Sequence, residues 1–352
     1  MKKAFLVLSL LFTLVLLSSC ANKNNIKPPI EETKPPEIRQ PLTIQDYYPF
    51  KENMNYVYEG EGNEYASYNV MVDYIDGNRI QIRSNNGGTE TVKVLENKEG
   101  ELTLPIVRGE AYYRENIIRS PSNYEEILLR EPLVKGTSWV LADGRNRSIT
   151  NLEVDVTTPS GTYKTLEVTT EGKDDKIKDY YAPNIGLVKS IFTSEGAVVS
   201  STLSKLENNV PLTQTVKFFY PNVNNDKLYH LNKKLSFKTN DLTKIVFEKA
   251  FKEVPKGDIS KVLGPNVKIK SLYLNKDNVV YIDFTKELVS EMNAGSGYES
   301  MILQSITNTL GNYYGVDKVY ITMEGSPYAS GHYLMKKGEY FSVDLKNSVE
   351  LR

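Results

Sequence analysis

The chain has 352 residues, a formal net charge of −1 and 40 % hydrophobic residues, enough for sizeable cores and no electrostatic footprint for nucleic acid. It holds one cysteine and two histidines, His230 and His332, in no metal-ligand spacing, which excludes an internal disulfide and a zinc site built from His and Cys. Tyrosine is abundant at 24 residues, with pairs at Tyr47–Tyr48, Tyr112–Tyr113, Tyr180–Tyr181 and Tyr313–Tyr314; on strands each pair would put one ring on each face of a half-exposed sheet.

Lys2 and Lys3 precede an apolar run over residues 4–17, followed by Ser18, Ser19 and Cys20. A basic start, a short apolar stretch and small residues read as a signal peptide over 1–19; the run is shorter than the ~20 residues a spanning helix needs. The ending "LLSSC" resembles the lipobox of bacterial lipoproteins. That resemblance implies cleavage before Cys20 and lipidation of its sulfur, so membrane lipid is the first expected partner, through acylated Cys20 with palmitate-type chains. Two chains give stable anchoring where one binds only marginally. The expected location is the outer face of the cytoplasmic membrane. Residues 20–41 carry "KPP" twice and close on Pro41, a composition that favours an extended polyproline II tether.

Residues 42–209 show strand signals about every ten residues. "YNVMVDYI" (68–75) ends in Asp76-Gly77 before "RIQIRS" (79–84), a hairpin signal because a type I′ turn wants positive φ. "NNGG" (85–88) precedes "TETVKVLE" (89–96), and "ITNLEVDVTT" and "YKTLEVTTE" flank Pro159-Ser160-Gly161. Only "NYEEILLRE" (123–131) has the makings of a short helix. The expectation is an all-β domain, a curved antiparallel sheet or barrel. "PFKENMNYV" (49–57) echoes "PLVKGTSWV" (132–140), compatible with two related β-halves or with two similar turn-to-strand approaches. Trp139 and Tyr56 read as core anchors.

Residues 212–345 change rhythm. "TVKFFYPN" (215–222) is a strand; Asn240 would cap a helix to about Glu253; "VKIKSLYLN" and "VVYIDFT" form a hairpin around Lys276-Asp277-Asn278. A second helix starts at Ser296 with the capping-box form Ser-x-x-Glu (Glu299), carries the stripe Ile302, Ile306, Leu310 and Tyr313, and ends at Gly315 before the strand "DKVYITMEG". The expectation is a second, α+β domain, two helices on one face of a small sheet. "VKFFYPN", "VKIKSLYLNKDNVVYIDFTKEL", "ITNTLGNYYGVDKVYITMEG" and "SGHY" are similar to the GerM domain, a family named for sporulation and spore germination. The resemblance implies a ring-building-like module, partners among envelope or sporulation-channel proteins or further copies of the chain, and a place between mother cell and forespore.

Residue chemistry for catalysis is sparse. "NAGSGYE" (293–299) lacks the lysine and spacing of a phosphate loop and reads as a helix cap. His332 reads as a turn or packing feature, and Asp283 as a strand residue facing away from its apolar neighbours. No cofactor is expected. On the first helix of the second domain, Phe247 and Phe251 widen the apolar arc beyond one sheet contact, beside Lys244 and Lys252. Those four residues are the candidate partner-binding surface, although the rarity of exposed apolar patches favours burial of the two rings inside the chain. The reading is a non-catalytic, lipid-anchored scaffold or assembly factor; a ligand-binding lipoprotein using the β-domain is the alternative, which a hollow, aromatic-lined β-domain would favour.

Overall fold

The computed structural model describes residues 41–351. The signal segment, Cys20 and nearly all of the tether lie outside the described residues. From Leu42 on, the chain forms one compact unit. A short helix, α1 (Ile44–Tyr47), opens it. Strands β1 (Met54–Glu61), β2 (Tyr68–Asp76), β3 (Arg79–Asn85), β4 (Glu90–Lys98), β5 (Glu101–Arg108) and β6 (Ile127–Arg130) form an antiparallel meander. A second meander follows with β7 (Ser138–Val140), β8 (Asn146–Thr158), β9 (Gly161–Glu171), β10 (Asp175–Ala182), β11 (Gly186–Ser194) and β12 (Ala197–Asn208).

Antiparallel pairing of β1 with β12, from Met54↔Asn208 to Glu61↔Ser200, joins the meanders into one twelve-stranded sheet with β6 and β7 at its ends. The sheet curls into a nearly closed barrel. Its second seam is closed by side chains: the Trp139 indole N–H on β7 donates to the Ile127 carbonyl on β6 at 3.0 Å, and Arg147 donates to the same oxygen at 2.9 Å. The sequence echo falls on β1 and β7, the opening strand of each meander. Each of these strands sits at one seam beside the last strand of the other half, as two related halves would place them.

The Asp76-Gly77 hairpin forms as its residues dictate, with Gly77 at φ +60°. The short helix that 123–131 had the makings of does not form. Asn123 is tied by its side chain to the Val107 backbone, and Ile127–Arg130 pair with β5, so tertiary pairing overrides local propensity. Of the tyrosine pairs only Tyr180–Tyr181 lies on a strand; Tyr47–Tyr48 ends α1, Tyr112–Tyr113 is in a loop and Tyr313–Tyr314 ends a helix.

The later part contains α2 (Thr243–Lys252), α3 (Glu287–Met292) and α4 (Ser296–Tyr314) with two small sheets instead of the one expected. The first sheet pairs β13 (Leu212–Asn222), β14 (Lys227–Phe237) and β20 (Ser348–Glu350). The second runs β15 (Ile269–Leu274), β16 (Val280–Phe284), β17 (Lys318–Met323) and β18 (Ser326–Pro327), with β19 (Phe341–Ser342) also on β17. Helix α4 packs against β13 of one sheet and β17 of the other, and Ile302, Ile306 and Leu310 are buried there as their spacing required. Gly315 ends α4 in the left-handed conformation, φ +69°.

Two expected caps have other duties. Asn240, at φ +69°, precedes α2 and its Oδ1 accepts the Ile75 N–H of β2 at 2.9 Å. Glu299 does not close a capping box: Gly295 is the cap residue, and the carboxylate turns into the protein.

The barrel and the later part meet through a polar junction. Asn53 and Thr239 exchange hydrogen bonds at 2.8 and 2.9 Å. Arg114, 1 % exposed, comes from the loop that straps the outer face of β2 and β3. It donates to the carbonyls of Asp73 at 2.8 Å and Lys238 at 3.1 Å, and to that of Asp241, and lies 4.1 Å from the Tyr74 ring centroid. Tyr313 accepts from the Arg114 backbone N–H and donates to Gln214, each at 2.8 Å.

Candidate functional site

The barrel is hollow. Its inward residues enclose a cavity of about 500 Å³, within the range of small-molecule pockets. Strand alternation places Val70 and Val72 of β2, Ile80 and Ile82 of β3, Leu95 of β4 and Leu104 of β5 on one aliphatic wall. Tyrosines adjoin this wall on β1 and β2. Tyr58 and Tyr68 stack at 4.6 Å, Tyr58 O–H donates to the Leu187 carbonyl at 2.8 Å, and Tyr48, Tyr56 and Tyr181 complete the group. Burial pushes the Tyr56 phenol up to about 12 and raises Tyr48, Tyr58 and Tyr68 as well, so these groups remain neutral donors at physiological pH. Tyr65, more than half exposed, reaches over Gly88 of the β3–β4 turn and marks the rim.

Four charged side chains also line the cavity. Arg147 of β8 is fully engaged, donating to Glu126 at 2.7 Å, Thr170 Oγ1 at 2.7 Å and the Ile127 carbonyl. Asp179 of β10 accepts from Ser190 Oγ at 2.6 Å; burial pushes its carboxyl up, against the pull of Ser190 and Arg147. Lys93 of β4 also projects inward.

Sequence reasoning missed this chamber. Lys93 alternates with Val92 and Val94, so it points to the opposite face from them. Here Val92 and Val94 are buried on the outside of the barrel, beneath the strap with Ile117 and Ile118, and the lysine faces the hollow. Tyr56 lines the cavity, whereas Trp139, 3 % exposed, is a core anchor as expected.

A second concavity, about 260 Å³, lies at the start of α4. Glu299, 3 % exposed, accepts from Tyr328 O–H and from His332 Nδ1–H, both at 2.6 Å. Burial pushes the Glu299 carboxyl up, but bonds from Ser330, Tyr328 and His332 together outweigh it and leave it below the usual range. Ser330 Oγ accepts the backbone N–H groups of His332 and Tyr333, so it is held in a turn. The arrangement staples the 328–333 segment to α4. Asp283 accepts from Thr322 Oγ1 at 2.6 Å and the Gly325 N–H at 2.9 Å, capping the turn after β17.

The expected partner surface on α2 divides. Phe247 and Phe251 are fully buried and lie 5.8 and 5.1 Å from the Phe218 ring in the core, so the correction is to their role: they hold α2 to the sheet and present nothing to a partner. The broad apolar arc has its other edge in solvent, where Leu242 and Ile245 are about half exposed. Lys244 donates to the Lys270 carbonyl at 2.6 Å, and Lys252 donates to Glu248 at 2.8 Å. Among the described residues no helix is long and apolar enough to cross a membrane.

Residues 214–329 match the family model Germane, described as sporulation and spore germination. Among solved structures, the chain is similar to the tandem GerMN domains of the Bacillus subtilis sporulation protein GerM (19 % identity, TM-score 0.27), a match covering 39 % of this chain and 46 % of that one. It thus spans about half the length of that tandem structure. The first GerMN domain of the same protein matches at 20 % identity and TM-score 0.26, over 33 % of this chain and 86 % of that one. A candidate lipoprotein from Parabacteroides distasonis matches at 15 % identity and TM-score 0.30, over 46 % of this chain and 98 % of that one. No curated protein matches the chain.

Proposed function

We propose that the protein is a non-catalytic, lipid-anchored assembly factor of the cell envelope acting in sporulation or spore germination. The observation that carries this reading is the match of residues 214–329 to a family described by those two processes. The later part offers a built scaffold: the His–Glu pair is tied into a turn, and the serine beside it accepts backbone hydrogen bonds. The anchor is Cys20, on the outer face of the cytoplasmic membrane or between mother cell and forespore. The partner-facing part of α2 is its exposed edge, Leu242 and Ile245, flanked by the half-buried Lys244 and Lys252.

Deleting the gene should impair spore formation or germination and leave vegetative growth near normal; normal sporulation and germination would remove the assembly role. Replacing Cys20 by Ala should abolish acyl labelling and release the protein from membranes. Retained labelling and membrane binding after an alkaline wash would refute the anchor.

A second reading is favoured by one observation, the hollow, tyrosine-lined barrel. In it the β-half holds a small ligand while the later part supplies assembly. Ligand-dependent protection of Tyr56, Tyr58 and Tyr68 from chemical modification would test it.

A further inference from the structure

Lys93 is a partly buried cation without a hydrogen-bonded counter-ion among the described residues. It projects inward beside Leu95 and opposite Ile82, its cross-strand partner on β3. Burial pulls its pKa down, and the field of Glu126 only partly offsets this. Glu126 is already engaged by Arg147 at 2.7 Å, and among the described residues no hydrogen bond or ion pair reaches the Lys93 ammonium. An ammonium in such a setting is costly unless an anion joins it. Asp179, the remaining charged group of the lining, has its own donor in Ser190 at 2.6 Å. Of the four charged side chains in the lining, Lys93 is thus the one whose charged group has no hydrogen-bonded partner among the described residues. The aliphatic wall of Val70, Val72, Ile80, Ile82, Leu95 and Leu104 extends from it.

We infer that the cavity binds a single-chain amphiphile with an anionic head, a carboxylate or phosphate ester, whose head pairs with Lys93 and whose tail lies along the aliphatic wall. This rests on the ligand-binding reading above and names its ligand class. A glycan suits the chamber less, because hydroxyls turned to that wall would lose their water and gain no partners. The tyrosine side accommodates a flexible chain through its ring faces.

The test is calorimetric titration of the full chain, freed of co-purifying lipid, with palmitate, hexadecanol, inorganic phosphate and maltotriose. Palmitate should bind the wild-type chain at least about tenfold more tightly than hexadecanol, the expected value of a charge-assisted hydrogen bond. Lys93→Met should remove that preference and leave hexadecanol binding unchanged. Equal binding of palmitate and hexadecanol by the wild-type chain would overturn the role of Lys93, even should the variant fail to fold, and would leave the cavity reading standing. Binding of maltotriose alone would overturn the amphiphile class and keep the cavity. Binding of phosphate alone would show that the apolar wall plays no part and overturn the inference. No binding by any of the four would overturn the inference; no ligand-dependent protection of the tyrosines by cell-envelope extract would overturn the cavity reading itself.

Discussion

Lys244 and Lys252 look equivalent on the helix, four and twelve residues past Asn240, and the structure separates them. Lys244 touches only a backbone carbonyl near the surface. Lys252 covers Glu248, a carboxylate 6 % exposed that also accepts the Ile269 N–H at 3.0 Å and the Lys268 ammonium at 3.1 Å. Lys244→Glu is expected to change stability by no more than about 0.5 kcal/mol. Lys252→Glu sets a like charge against a buried carboxylate and should cost about 1–3 kcal/mol in urea denaturation. Interface tests on α2 are therefore better made at Lys244 and Ile245. Glu299 gives the acid dependence. Its folded pKa lies below its unfolded value, near 4.3. Its stabilisation is therefore present above that value and lost as pH falls through the lowered folded pKa. Melting temperature followed from pH 7 to about pH 3 should fall less steeply in Glu299→Gln than in the wild type. A parallel fall would show that other carboxylates carry the acid limb.

At the scale of elements, the two seams of the barrel should differ in strength. The β1·β12 seam is a backbone ladder, whereas the β6/β7 seam depends on side chains donating to Ile127. Trp139→Phe removes the indole donor and leaves a void where the larger ring packed, so a loss of about 1–3 kcal/mol is expected. Hydrogen exchange should speed up in Ile127–Arg130 and stay unchanged across Met54–Glu61. Equal acceleration at both seams would mean that the barrel opens as one body. The echo between 49–57 and 132–140 was legible in the sequence, but its placement was not: the two motifs acquire equivalent positions only once β1 and β7 each open a meander and the meanders are joined.

For the whole molecule, the question is whether the barrel and the later part are separable. Their main hydrophobic cores are distinct, one around Phe218, Phe247 and Phe251 and one around Leu102, Leu129 and Leu166, which favours fragments 42–209 and 212–352 each retaining a core. Arg114 and Asp73 are buried at the junction, with Arg114 using carbonyls from the other part. The two fragments should therefore fold separately and rebind when mixed. Arg114→Ala should weaken rebinding by about 3 kcal/mol or more, roughly a hundredfold. Sedimentation of the mixed fragments measures this. Fragments that ignore each other would show the junction to be passive, and fragments that do not fold would show the cores to be interdependent.

Local chemistry alone determined much of this protein: the Asp76-Gly77 hairpin, the strand alternation of the first half, the α4 stripe from Ile302 to Leu310, and the words that resemble the GerM family over residues 215–345. These are signals whose physics is complete within a dozen residues, because turns, periodicity and helix faces are set by neighbours along the chain. What tertiary structure decided is which solvent each face meets. Period two tells that Lys93 and Val92 point opposite ways; it cannot tell that a strap from residues 109–126 covers one side and a hollow barrel encloses the other. The same holds for Phe247 and Phe251, buried by a sheet that the helix pattern cannot see, and for Glu299, drawn from a capping role by Tyr328 and His332, which lie about thirty residues further along the chain.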